Sequence, residues 1–195
     1  MTTPYWLDVP YTPRPALEGA VEVEACVIGG GVAGLSCARR LAGHGIETVL
    51  LERDTVASGA SGRNGGFLLA GMSAFHNDAR ERYGRERARE MYARTLAAQE
   101  EVYELAAELG AGDAVRRVGL LRVAVSGDEG EHVRAHAAAL REDGFPGEVV
   151  EREELPPALR TTGHVACLTE HDGALHPSRW YRLLAEAAEA AGARI

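Results

Sequence analysis

Lysine is absent from the 195 residues, so every fixed positive charge is an arginine. This stretch therefore holds no P-loop lysine, no Schiff-base lysine and no lysine acid or base. Cysteine is scarce: Cys26, Cys37 and Cys167 form neither a C-x-x-C pair nor any metal-ligand spacing. Cys26 lies in an apolar run and Cys37 in a predicted helix, so both read as small buried hydrophobes, and a reduced, cytoplasmic setting is expected. No apolar run approaches the length that spans a bilayer, and residues 1–10 lack the basic-then-apolar order of a signal peptide. Excess positive charge is missing as well. The net charge of −8 argues against a surface built to neutralise nucleic-acid phosphates. His76, His132, His136 and His171 share no ligand spacing, so no metal site is expected.

What is present is an ordinary globular composition, enough for one large domain or one and a half smaller ones. Residues 1–20 carry Pro4, Pro10, Pro13 and Pro15 with Tyr5, Trp6 and Tyr11, and so predict an extended arm pinned by its aromatics. Residues 21–28 read as a strand, fully apolar at its end and suited to burial on both faces. Gly29-Gly30-Gly31 breaks it, Leu35, Ala38 and Leu41 follow at helical spacing, and residues 48–51 form a second strand ending in Glu52. That is the size of one βαβ unit. A long helix is predicted over 78–109, a strand over 118–125, a helix over 129–141 and a strand over 165–168. His176-Pro177-Ser178 opens a last helix that Gly192 ends, with proline at an early position where its missing N–H is not needed. Residues 193–195 look like the first residues of a further strand.

The chemistry lies in the glycines. Gly29-x-Gly31-x-x-Gly34 follows a strand and opens a helix, as the dinucleotide fingerprint requires. The first glycine allows a tight turn, the second a close backbone approach to a pyrophosphate, and the third close packing of helix on strand. Amides around Val32, Ala33 and Gly34 then face a phosphate at the positive end of the helix dipole. Glu52, with Arg53 beside it, stands at the tip of the second strand. Its carboxylate suits the two hydroxyls of an adenosine ribose and would repel a 2′-phosphate. To this point NAD and FAD both remain open.

The block Gly59-Ala60-Ser61-Gly62-Arg63-Asn64-Gly65-Gly66 decides between them. With Val27-Ile28-Gly29-Gly30-Gly31, Gly34-Leu35-Ser36 and Leu51-Glu52, it resembles the FAD-dependent amine oxidoreductases of the D-amino-acid oxidase (DAO) superfamily. Tyr5-Trp6-Leu7, Gly119-Leu120-Leu121 and Gly173-Ala174-Leu175-His176-Pro177 extend the likeness along nearly the whole chain. Within the superfamily it is most similar to the γ-glutamylputrescine oxidase type. A flavin dinucleotide needs a second clamp beyond the first glycine turn. Glycines at 62, 65 and 66 let backbone N–H groups crowd the cofactor, Ser61 and Asn64 add polar contacts, and Arg63 offsets phosphate charge.

The resemblance implies a Rossmann-type α/β fold with FAD held by Gly29, Gly31, Val32, Ala33, Gly34, Glu52, Arg53, Ser61, Gly62, Arg63, Asn64, Gly65 and Gly66. It divides the chain into an arm (1–20), a first part of an FAD-binding domain (21–114), the beginning of an α+β substrate domain (115–173) and a return to the FAD-binding domain (174–195). Residues 78–112 are expected to pack on the FAD-binding part, and the fold is expected to continue past Ile195. The implied reaction is oxidation of an amine or amino-acid C–N bond: hydride passes to the flavin, an imine is formed, and electrons go on to oxygen or another acceptor. Two alternatives stay open, an FAD oxidoreductase acting on a C–O bond or using NADH, and a binding fragment without turnover. A small-molecule amine is the expected partner, with no nucleic acid and no membrane. The sequence names no catalytic residue and no oligomeric state, and His176 reads as structural.

Overall fold

The computed structural model describes residues 4–195; the first three residues of the expected arm lie outside them. In chain order the elements are β1 (Ala25–Ile28), α1 (Val32–Gly43), β2 (Thr48–Leu51), β3 (Phe67–Leu68), α2 (His76–Tyr83), α3 (Arg85–Glu108), β4 (Val115–Arg117), β5 (Leu120–Ala124), α4 (Gly127–Glu142), β6 (Glu148–Glu151), β7 (Val165–Thr169), β8 (Gly173–Leu175) and α5 (Pro177–Ala190). Short 3-10 turns sit at Tyr5–Leu7, Ala60–Gly62 and Gly112–Ala114. The described chain divides into two compact units, residues 4–67, 106–115 and 175–195 in the first and residues 68–105 and 116–174 in the second.

In the first unit β1 and β2 pair in parallel, Ala25 opposite Thr48 through Ile28 opposite Leu51, with α1 as the crossover. The helix buries Leu35, Ala38 and Ala42, and α5 packs along it with Trp180, Tyr181, Leu184, Ala185 and Ala188 buried. Spacing of this kind puts one apolar stripe on each helix, and the two stripes meet. Pro177 takes the first helical position of α5, and His176 caps it by accepting from the Arg179 N–H through Nδ1. Past α5, Arg194 bridges to β2 in parallel, its N–H donating to Thr48 O and its carbonyl accepting from Leu50.

Two expectations for this unit are corrected. β1 is not buried on both faces. Val27 lies beneath α1, but Ile28 is 86% exposed, because the opposite face of this short two-stranded sheet is left open. For the same reason Cys26 is exposed. Cys37 is exposed too, lying on the face of α1 away from Leu35 and Ala38.

The second unit is an antiparallel sheet in the order β5, β7, β6, with α4 packed on it. Its core joins Tyr92, Ala124, Val133, Ala137, Leu140, Val165 and Cys167, edged by Phe75, Leu96, Phe145 and Val149. The long helix expected over 78–109 is two helices, broken at Gly84, whose φ of 82° ends α2. Residues 68–105 group with this unit rather than with the first, and polar contacts explain why. His76 Nε2 meets Asp143 at 2.8 Å, Arg85 Nε donates to the same carboxylate at 2.6 Å, and Gln99 donates to Asp172 at 3.0 Å. Asp172 also accepts from the Ala70 N–H and from Thr169 Oγ1. Burial works to raise the Asp143 carboxyl, but the hydrogen bonds from His76 and Arg85 and the charge of Arg80 hold it below the usual range. Periodicity finds the helix and not these partners.

Candidate functional site

Strand, turn and helix meet where the glycine spacing requires. Gly31 caps α1 in an extended conformation, and the Gly29 N–H donates to Leu51 O at 2.8 Å. A Cβ on Gly34 would stand 1.9 Å from the Gly29 carbonyl oxygen, so only glycine lets the helix lie this close to the strand end. The first turn of α1 leaves the N–H groups of Val32, Ala33 and Gly34 without partners in the helix, aimed out of its positive end.

Glu52 leaves β2 beside this turn. Its Oε2 accepts from the Gly30 N–H at 2.6 Å and its Oε1 from the Asp54 N–H at 2.9 Å. Burial works to raise the carboxyl, but backbone N–H groups of Asp54, Gly30 and Arg53 and the Arg53 charge hold it below its ordinary value. Glu52 is thus an anion fixed by backbone donors, with its neighbour Arg53 exposed. A cleft of about 630 Å³ runs along residues 51–56, with Tyr11, Arg14, Arg194 and Ile195 on its other walls. Its size is that of a small-molecule site.

The second glycine loop folds back onto the first. Ser61 Oγ accepts from the Val32 N–H at 3.0 Å, where an anion's oxygen would otherwise sit, and the Ala57 N–H donates to Gly30 O at 3.0 Å. Ala57 holds a left-handed φ of 63° and is buried, a backbone conformation an alanine seldom adopts. Within the loop Asn64 Nδ2 donates to Ser61 O and Ala60 O, and its Oδ1 accepts from the Gly66 N–H. Gly66, at a φ of 73°, accepts from the Leu175 N–H, and a Cβ there would stand 2.5 Å from Leu175 O. Gly62 is buried, while Gly65 is exposed beside the Phe67 ring. Arg63 Nε donates to Ser58 O at 2.5 Å, tying this side chain to its own loop.

All thirteen predicted residues therefore lie in one unit, on three segments that touch. The donor set suits a dinucleotide diphosphate: a helix N-terminus, a serine hydroxyl seated on it, and backbone approached through glycine. Sequence reasoning missed Ala57, since nothing in its local sequence marks a left-handed residue. It also missed Trp6 as a neighbour of the loop, though the Tyr5-Trp6-Leu7 run was the available signal. Trp6 Nε1 donates to Asn64 O at 2.7 Å. Among the described residues no helix is long and apolar enough to cross a membrane.

Comparison with known proteins gives a consistent picture. The pattern of the DAO family, described as FAD dependent oxidoreductase, matches residues 24–195. Gamma-glutamylputrescine oxidoreductase of Escherichia coli K12 is 40% identical over 79 residues, 40% of this chain and 18% of that protein. A probable oxidoreductase, OrdL, of Rhizobium meliloti is 30% identical over 195 residues, 98% of this chain and 45% of that protein. The chain thus spans less than half the length of these relatives. Among solved structures, glycine oxidase from Geobacillus kaustophilus shares the fold with a TM-score of 0.72 at 24% identity, over 88% of this chain and 45% of that one.

Proposed function

The chain belongs to the DAO family of FAD dependent oxidoreductases, and on that premise we propose that the whole protein oxidises an amine or amino-acid C–N bond. FAD is the cofactor of this family. We assign it to the first unit, where the Gly29–Gly34 turn, Glu52 and residues 61–66 converge, and we assign the opening part of the substrate domain to the second. The single observation that carries the cofactor assignment is the seating of Ser61 on the Val32 N–H at the end of α1. It joins the second glycine loop to the diphosphate end of the first, which a dinucleotide held at one glycine turn alone would not need.

In this reading Glu52 holds the adenosine ribose. The N–H groups of Val32, Ala33 and Gly34 hold the diphosphate, with Arg63 near enough in sequence to offset its charge. Residues 62–66 keep water off the far side. Bound there, FAD supplies an acceptor for the hydride on the carbon next to nitrogen, and the chain's part is to orient and exclude. The choice of a C–N bond is supported by the relative named for γ-glutamylputrescine, an amine derivative.

The product of the whole reading frame should purify yellow and release FAD on denaturation. Offered with aliphatic amines, α-amino acids and hydroxy acids, it should reduce a dye or oxygen with amines. Turnover of hydroxy acids alone would establish the C–O reading, and a colourless folded protein that binds NAD would remove the flavin altogether.

A further inference from the structure

We infer that the N-terminal arm positions the cofactor loop, with Trp6 as the positioning residue; this rests on the FAD reading above. The loop of residues 58–66 carries Gly59, Gly62, Gly65 and Gly66, and glycine loses more conformational freedom on ordering than any other residue. Such a loop holds one shape only if something outside it fixes the shape. Trp6 does so through a short chain of hydrogen bonds. Its indole N–H donates to Asn64 O at 2.7 Å, the Asn64 amide donates to Ser61 O at 2.7 Å, and Ser61 Oγ accepts from the Val32 N–H at the end of α1. Packing acts along the same line. The Trp6 ring lies 3.2 Å from where a Cβ on Gly66 would stand, and Leu7 Cδ2 lies 2.9 Å from the same point on Gly62.

Trp6 is itself fixed by α5. Its carbonyl accepts from Ser178 Oγ, and its ring stands edge-on to His176 and Tyr5, each at 4.9 Å between centroids. Farther along, Arg182 donates to the Pro10 and Val9 carbonyls and lies over the Tyr11 ring at 4.2 Å. Arg14 grips Glu189 through two hydrogen bonds of 2.7 and 2.5 Å and donates to Tyr11 Oη. An arm needed only to cover the apolar side of α5 would have no use for the indole hydrogen bond to Asn64. The anchors at 9–14 hold the strap on the helix, and Trp6 turns it toward the loop.

The test compares wild type, Trp6→Phe and Trp6→Ala in the product of the whole reading frame, with Glu189→Ala, on α5 and outside the Glu52 cleft, as a control that loosens only the distal anchor. FAD dissociation constants are read from flavin fluorescence, bound-flavin spectra from absorbance, and the apoproteins from amide hydrogen exchange and thermal melting. Trp6→Phe keeps the ring and loses the donor, so FAD should bind about fivefold more weakly, the size of one neutral hydrogen bond. Exchange should quicken in residues 60–66 and nowhere else, the melting temperature should hold, and the spectrum of the flavin still bound should shift. Trp6→Ala should weaken FAD further, and Glu189→Ala should leave affinity near wild type. Equal affinity in wild type and both Trp6 variants overturns the inference. So does weakening that merely tracks a lower melting temperature, with exchange raised across α1 and α5 alike, for then the arm is a brace and no more. A wild type that takes up no FAD overturns the cofactor reading and the inference together; one that binds FAD beside equally good variants overturns only the inference.

Discussion

Glu52 commits both carboxylate oxygens to backbone N–H groups, one from the glycine turn and one from the chain just past β2. A glutamine at this place keeps one acceptor oxygen and sets an amide, itself a donor, against the other N–H. The charge that would bind ribose hydroxyls most strongly is lost as well. Glu52→Gln should therefore weaken FAD by roughly tenfold or more, since charged acceptors exceed neutral ones by a kilocalorie or so per bond. Glu104→Gln, on an exposed stretch of α3, should leave affinity unchanged. Titration of both apoproteins with FAD decides it, and equal constants in wild type and Glu52→Gln would remove the ribose assignment. Glu52 and the glycines could be read from sequence because each has its role within about thirty residues of the same βαβ unit. The seating of Ser61 on Val32 and of Trp6 on Asn64 spans 29 and 58 residues. Contacts that long are set by where whole segments come to rest, and no local spacing encodes them.

Elements divide along the same line. α5 was legible at both ends, from Pro177 and from Gly192, because caps are local chemistry. The place of α2 and α3 was not, because it depends on a buried polar knot. His76 gives its ring to Asp143, and its backbone N–H donates to Nδ1 of His136 at 2.9 Å, so the His136 ring must keep a lone pair there. Burial pushes His136 down to about 4, helped by the charges of Arg122, His76 and His132 and opposed by Asp78. An unfolded histidine titrates near 6.5, so between these values the unfolded chain takes up the proton and the folded one does not. The sign follows: His136 contributes stability that is full above pH 6.5 and is lost as pH falls toward 4. Between about pH 7.5 and 4.5 the loss should be on the order of 2–3 kcal/mol in the unfolding of this unit. His171 shifts the same way through burial and adds to the slope. His136→Asn offers an oxygen to the His76 N–H without a titrating ring. Melting curves across this range should accordingly be flatter for the variant, and an unchanged slope would show that His136 is not the group responsible.

At the scale of the molecule, the open side of β1 matters most. Parallel sheets are normally covered on both faces, since their crossovers lay helices there. Here β2 has β1 on one side and the Arg194 bridge on the other, whereas among the described residues β1 has β2 alone, with Ile28 86% and Leu51 39% exposed. Such an edge offers unpaired N–H and carbonyl groups beside apolar side chains, a template for adding another strand. In relatives more than twice as long, there is chain enough to cover it: this sequence matches 45% of the Rhizobium meliloti protein. His176, packed against Trp6, has its Nδ1 engaged as the cap of α5 and is not free there to take a proton from an amine. Residues 1–195 expressed alone should consequently oxidise no amine, even with FAD supplied, and should self-associate as concentration rises. Light scattering reads the second expectation. For the first, the segment is assayed beside whatever longer product the reading frame encodes, with the same amines and the same dye. Turnover by the segment at a rate near that of the longer protein would mean that the Rossmann-type unit and the antiparallel sheet already form the whole catalytic machinery, and the exposed face of β1 would then need another explanation.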